Sequence, residues 1–231
     1  NFYEQPDSCI SILGSLLEQN NQTAQYVRSF SSVQLPNIQD IIQLPPRGQR
    51  IRAVRKIQIY WAILRKAGFD CDLGRLRSLG LTSGSGRGPS HFNPRFTAQL
   101  ITAACGENCS FAAPSNLDEL VQLLDAVESF RQQNPNANEL QSSSGGSLFD
   151  PDDVALLGFL NPATGGGTRI LQPFRIYHDA HAGDFVGDIL SFLDDGMTVI
   201  LDLGNASDEI RTYFSDLLSR AVFNHQEQKF T

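Results

Sequence analysis

The sequence predicts an α/β fold: a few parallel strands clothed by helices, with a large, mainly helical insertion ahead of them. Three observations carry this expectation. Val199-Ile200-Leu201 is a continuous, partly β-branched apolar run, the pattern of a strand buried on both faces. Gly204-Asn205 then turns the chain into a segment where Ile210, Phe214, Leu217, Leu218, Ala221 and Val222 recur at helical spacing. Up to about residue 133, helical periodicity dominates instead. The expected organisation is a helical part over 1–133, a polar linker over 134–148 (PNANELQSSSGG at its centre), and a strand–helix–strand–helix layer over 149–231.

Each element has its own warrant. Residues 7–30 read as two short helices, one with Ile10, Leu13, Leu16 and Leu17 on a face and one with Tyr26, Val27 and Phe30. The strongest helix of the first half runs from Gln49 to Ala67 and stops at Gly68. On a helical wheel, Val54, Ile57, Trp61 and Leu64 form a stripe, with Arg52, Arg55, Lys56 and Lys66 on the opposite face. Gly84–Pro89 is glycine-rich, but it lacks the Gly-Lys-[Ser/Thr] ending of a phosphate loop and reads as a flexible loop. Asn93-Pro94 opens a helix to Cys105, with Pro at its first position. Ser115 caps another, whose stripe is Leu117, Leu120, Val121, Leu124, Val127 and Phe130. Asp150-Pro151 starts a helix through Leu160, and Gly165-Gly166-Gly167 leads into a strand from Ile170 to Tyr177. A helix from Ala182 to Asp194 ends at Gly196 in the left-handed cap position. The core strand, Thr198 to Leu203, follows, and Ser207 suits the N-cap of the last helix.

Composition narrows the function. The chain has 231 residues, 41% of them hydrophobic, and no apolar run approaches the length of a membrane span, so the expected location is cytoplasmic. The four cysteines lack the CxxC pairs of a zinc site; Cys105 and Cys109 form a CxxxC that is either a metal or redox pair or two reduced thiols. The net charge of −7 hides a segregation: Ile41 to Phe96 carries eleven basic residues and only Asp70 and Asp72 as acids. Such a stretch is either a phosphate-backbone patch, with Arg52, Arg55, Lys56 and Lys66 as the DNA-binding candidates, or a surface that docks on an acidic neighbour. His178-Asp179-Ala180-His181 offers His178 and His181 as metal candidates, against a reading as local capping and loop. Asp202, at a strand's carboxyl end, is either a nucleotide contact or a turn acid.

The stretch Gly196-Met-Thr-Val-Ile-Leu-Asp-Leu-Gly-Asn205, with Glu209-Ile-Arg-Thr-Tyr-Phe after it, resembles the region preceding the Walker B strand of HerA/FtsK-type P-loop ATPases. The resemblance covers about Phe149 to Thr231. It implies a partial three-layer ATPase sheet, ATP and Mg²⁺ as cofactors, and membership of a ring-shaped homo-oligomer such as a hexamer. It further implies DNA translocase or helicase activity, with a nuclease or other protein as partner. Neither a Walker A loop nor Walker B acids stand in this sequence. The implied piece is therefore a middle segment of a longer protein, without phosphate-gripping groups and inactive as an ATPase by itself. The alternative reading is a non-enzymatic interaction or scaffold module that docks through the basic helical face.

Overall fold

A computed structural model describes residues 1–83, 90–142, 145–182, 185–204 and 208–230. They form two compact units, Asn1–Ala180 and His181–Thr231.

The first unit is helical and is built around one buried helix. Its elements are α1 (Pro6–Gln19), α2 (Gln25–Ser31), α3 (Ile38–Gln43), α4 (Gly48–Lys66), α5 (Leu73–Ser78), α6 (Ala98–Cys105), α7 (Leu117–Gln133) and α8 (Pro151–Leu160). Two 3-10 segments, Asn138–Leu140 and Gly167–Tyr177, complete it. α4 packs against α3, α7, α8 and the Gly167–Tyr177 segment. Every residue from Ile57 to Leu64 is fully buried, so this stretch has no solvent face. The expected single stripe with a cationic face opposite is thereby corrected. The run Ile-Gln-Ile-Tyr-Trp-Ala-Ile-Leu is apolar nearly all round, and such a helix belongs in the middle of a bundle. Backbone meets two of its polar side-chain atoms: Trp61 Nε1 donates to the Tyr3 carbonyl (2.8 Å) and Gln58 Nε2 to that of Leu81 (2.8 Å), while Tyr60 Oη and Gln58 Oε1 are buried without a partner among the described residues.

Helix ends follow local chemistry. α4 closes in a Schellman motif: the amide of Phe69 bonds the Leu64 carbonyl (3.0 Å), that of Gly68 the Arg65 carbonyl (2.9 Å), and Gly68 sits at φ +87°. α8 opens with a capping box between Asp150 and Asp153. α7 is capped by Asn116, one residue later than the sequence suggests. α6 starts at Ala98 with Thr97 as its cap rather than at Pro94, because the chain first turns at Asn93–Arg95, where Arg95 takes φ +61°.

The α/β expectation is overturned. The described residues contain no sheet, only the isolated bridges Ser83↔His91 and Gln141↔Ser147. The strand expected over Ile170–Tyr177 lies in the 3-10 helix Gly167–Tyr177. Its buried side chains, Thr168, Leu171 and Phe174, recur every third position, which is the 3-10 period. The strand expected over Thr198–Leu203 is irregular, and Ile200 is 90% exposed. The strand–helix–strand–helix layer over 149–231, and with it the partial P-loop sheet, is therefore replaced by helices.

The second unit holds α9 (Phe185–Asp194) and α10 (Asp208–Phe230), which pack on each other. α9 ends in a second Schellman motif: Met197 bonds the Phe192 carbonyl (2.9 Å) and Gly196 that of Leu193 (3.1 Å). No residue of α9 is buried, although the helix is mostly apolar. The expected cap at Ser207 and the Gly84–Pro89 loop lie outside the described residues.

Candidate anion interface at the N-terminal end of helix α4

The basic residues of 41–96 separate into two groups along α4. From Arg55 onward, those on α4 are neutralised by carboxylates of α7 and of the start of α8. Arg55, 3% exposed, pairs with the fully buried Asp153 (3.3 Å). Lys56 bridges Asp150 (3.0 Å) and Asp152 (2.7 Å), at the start of α8. Burial, the largest single influence, pulls its ammonium pKa down, but the hydrogen bonds and charges of Asp152 and Asp150 together hold it above the ordinary value. Arg65 meets Asp118 (2.7 Å) and Lys66 meets Asp125 (2.7 Å), both on α7. Beyond α4, Arg75 pairs with Glu4, whereas Arg77 has no ion pair among the described residues and donates to the Ser115 carbonyl (2.6 Å).

Around the start of α4, Arg47, Arg50, Arg52 and Arg95 also have no ion pair among the described residues. Three of them cluster at the start of α4, where Arg47 is the N-cap. That helix has no side-chain cap and no acidic residue in its first turn. A helix N-terminus carries partial positive charge, so each cation placed there costs about 0.3–1 kcal/mol unless an anion covers it. Arg95 faces the same place from the Asn93–Arg95 turn. Arg50 and Arg95, with Asn93, Thr82, Ser83 and Val54, line a pocket of about 320 Å³. Arg50 spends one nitrogen on the carbonyls of Ile42 (3.3 Å) and Leu44 (3.5 Å), which fixes its guanidinium while the others stay available. The Arg95 amide donates to Asn93 Oδ1 (2.9 Å), stabilising the turn at a φ unusual for a residue with a Cβ. The remaining basic residue of the stretch, Arg87, lies outside the described residues.

Of the four DNA-binding candidates from the sequence, the structure brings only Arg52 to this end. Arg55, Lys56 and Lys66 are occupied by acids of the same chain. Sequence reasoning passed over Arg47, Arg50 and Arg95 as site residues. A readable signal existed for the first two: basic residues with no acid where α4 begins.

The remaining candidates are placed elsewhere. His178 is half-buried among Phe2, Tyr3 and Phe69. Its Nδ1 accepts from the Phe2 amide (3.1 Å) and its Nε2 donates to the Asp70 carbonyl (2.7 Å), so both nitrogens serve packing of the N-terminal segment. Burial, its leading influence, holds this imidazole below the usual histidine range. His181 is exposed and belongs to the other unit. Among the described residues no group of three or more His, Cys, Asp or Glu side chains is arranged to hold a metal ion. Asp202 is exposed, and its Oδ1 accepts from the Gly204 amide (2.8 Å), closing a local turn. No helix among the described residues is long and apolar enough to cross a membrane. Comparison of the chain with family models, curated proteins and solved structures returns no match.

Proposed function

We propose that this chain is a non-enzymatic binding module that grips the phosphate backbone of nucleic acid with the arginine end of α4. One observation carries the reading. Along a single helix, the cations from Arg55 onward are each matched by a carboxylate, while Arg47, Arg50 and Arg52 are unmatched and Arg95 shares a pocket with Arg50. A fold that has acids to spare, at a net charge of −7, leaves these four uncovered. Arginine suits the role because its planar fork matches the phosphate oxygens two at a time. The arginines reach backbone oxygens rather than base edges, so affinity is expected to be indifferent to sequence.

The test is duplex DNA affinity of the full chain across a salt series. Replacing Arg47, Arg50, Arg52 and Arg95 singly by Gln is expected to weaken binding to unrelated sequences alike. Each change should lower the log–log salt slope by about 0.9 for every phosphate it leaves without a cation. Arg65→Gln, at a paired and half-exposed position, is the control and leaves the slope unchanged. Unaltered affinity and slope in the quadruple variant would remove nucleic acid as the partner. Binding of the unaltered chain to an acidic polypeptide, lost in the quadruple variant, would assign the surface to an acidic protein.

A further inference from the structure

Away from the arginine end of α4, the first unit holds a larger pocket of about 590 Å³, lined by α2, the end of α7 and α8. That volume lies in the range of small-molecule sites. Its charge is organised by Glu128, which is fully buried. Oε2 of Glu128 accepts from Arg131 Nε (2.7 Å), and Oε1 accepts from Arg131 Nη2 (2.7 Å) and Gln132 Nε2 (2.8 Å). The buried carboxylate thus fixes the Arg131 guanidinium by one edge. A guanidinium has a second edge, and the remaining Nη hydrogens of Arg131 meet no acceptor among the described residues. Facing it from α2, Tyr26 Oη accepts from the Gly166 amide (3.2 Å), and its own hydrogen likewise has no acceptor among the described residues. The α8 wall includes Gly158, inside a helix, where glycine costs stability relative to alanine. A close neighbour would explain such a glycine, but a Cβ built on Gly158 meets nothing within 4 Å. Packing does not require the missing side chain; its absence keeps the pocket open.

We propose that this pocket binds a small organic monocarboxylate, its carboxylate on the outer edge of Arg131 and its apolar body against Val154 and Pro162. The outer edge presents parallel N–H donors, which match the two oxygens of a planar carboxylate. Val154 is an exposed apolar side chain on the pocket wall, and covering it supplies the hydrophobic part of the affinity. The ligand carries one negative charge rather than two. Asp152 also lines the pocket, held by Lys56 (2.7 Å), and it repels a second anionic group. The site shares no lining residue with the pocket of Arg50 and Arg95, so it stands independently of the nucleic-acid reading.

The experiment titrates the full, isotope-labelled chain with acetate, butyrate, hexanoate and benzoate at constant ionic strength, followed by nuclear magnetic resonance. Saturable shifts are expected at the Gly158 amide and at Arg131 Nε–H with the larger two acids. Benzamide, the same shape without the charge, should bind more weakly by about tenfold or more. Arg131→Lys keeps a cation beside Glu128 but loses the outer edge, so carboxylate affinity should fall by about tenfold or more. Gly158→Leu fills the pocket and should abolish binding without lowering the unfolding midpoint, since its Cβ enters open space. The Arg131→Lys and benzamide comparisons stand whether or not Gly158→Leu folds. Any of four results overturns the proposal: no saturable shift with all four acids, equal affinity for benzamide and benzoate, unchanged affinity in Arg131→Lys, or full affinity in a folded Gly158→Leu chain.

Discussion

The guanidinium of Arg55 reaches the Pro94 carbonyl (2.9 Å), the Leu148 carbonyl (2.7 Å), the Arg95 carbonyl (3.5 Å) and the Asp153 carboxylate (3.3 Å) at once. It also lies over the rings of Phe96 and Phe149. Arg55 therefore holds the turn that presents Arg95, and it acts on the proposed anion interface through Arg95 rather than by touching the ligand. Lysine keeps the charge but not the fork, so Arg55→Lys is expected to cost about 1–3 kcal/mol of stability from unmet buried carbonyls. In DNA binding, Arg55→Lys should weaken affinity much as Arg95→Gln does, and the double variant should be no weaker than Arg95→Gln alone. Additive losses would show that Arg55 has no positioning role. His178 supports a pH prediction. The native fold holds its pKa below the ordinary 6.5, chiefly by burial, and Nδ1 must stay unprotonated to accept from Phe2. Below 6.5 the unfolded chain takes up a proton that the native chain refuses, so this contribution to stability falls as the pH drops through that window. Asp153, raised to about 6 mainly by burial, works in the opposite direction, because its protonated form is the one the interior prefers. Comparing urea unfolding of the wild type and His178→Gln above and below that window isolates the histidine. The wild type should lose more stability on acidification, and parallel pH profiles would show that His178 is not held neutral.

At the scale of elements, helices with long apolar periodicity and strong end signals were legible. α4 and α8 start and stop within a residue or two of expectation, fixed by Gly68 and by the Asp150-Pro151 pair. The left-handed cap at Gly196 was legible for the same reason: its chemistry is local. The two strands were not. Val199-Ile200-Leu201 is only three residues long, and a short apolar run states that side chains prefer burial without stating what buries them. The Ile170–Tyr177 stretch spaces its buried residues at three, between the periods of strand and α-helix, and Pro173 stands inside it. The candidate site was half legible: the charge excess was plain, but which arginines the acids of α7 and α8 would consume depends on pairings across up to about a hundred residues, such as Arg55 with Asp153. The exposed segment yields a direct test. A buried strand would make Ile200→Asp ruinous, through an unpaired charge in the interior. At 90% exposure, the change is expected to shift unfolding free energy by no more than about 0.5 kcal/mol, read from the urea midpoint. A loss of several kcal/mol would return Ile200 to a core.

The distribution of buried surface over the whole chain sets a further expectation. The contiguous core runs from Phe2 to Phe174, so both of its ends lie within the first unit. Tyr3 and Trp61 tie the N-terminal segment to α4, and His178 packs on Phe2, which closes that core near its last residues. Beyond Ala180, Ile210 is the one buried apolar residue among those described. The charge balance is equally self-contained, because the carboxylates that neutralise α4 come from Asp118, Asp125 and Asp150 to Asp153. A chain cut after His181 is therefore expected to fold and to unfold in one cooperative step, with its midpoint close to that of the full protein. The denaturant slope is the sharper measure, since it scales with the surface exposed on unfolding. A second unit that buries little surface within itself contributes little to that slope, so removing residues 182–231 should leave it nearly unchanged despite the shorter chain. DNA affinity should survive the cut as well, because Arg47, Arg50, Arg52 and Arg95 all remain. A lowered midpoint with a much smaller slope would mean that the first unit draws its stability from the second.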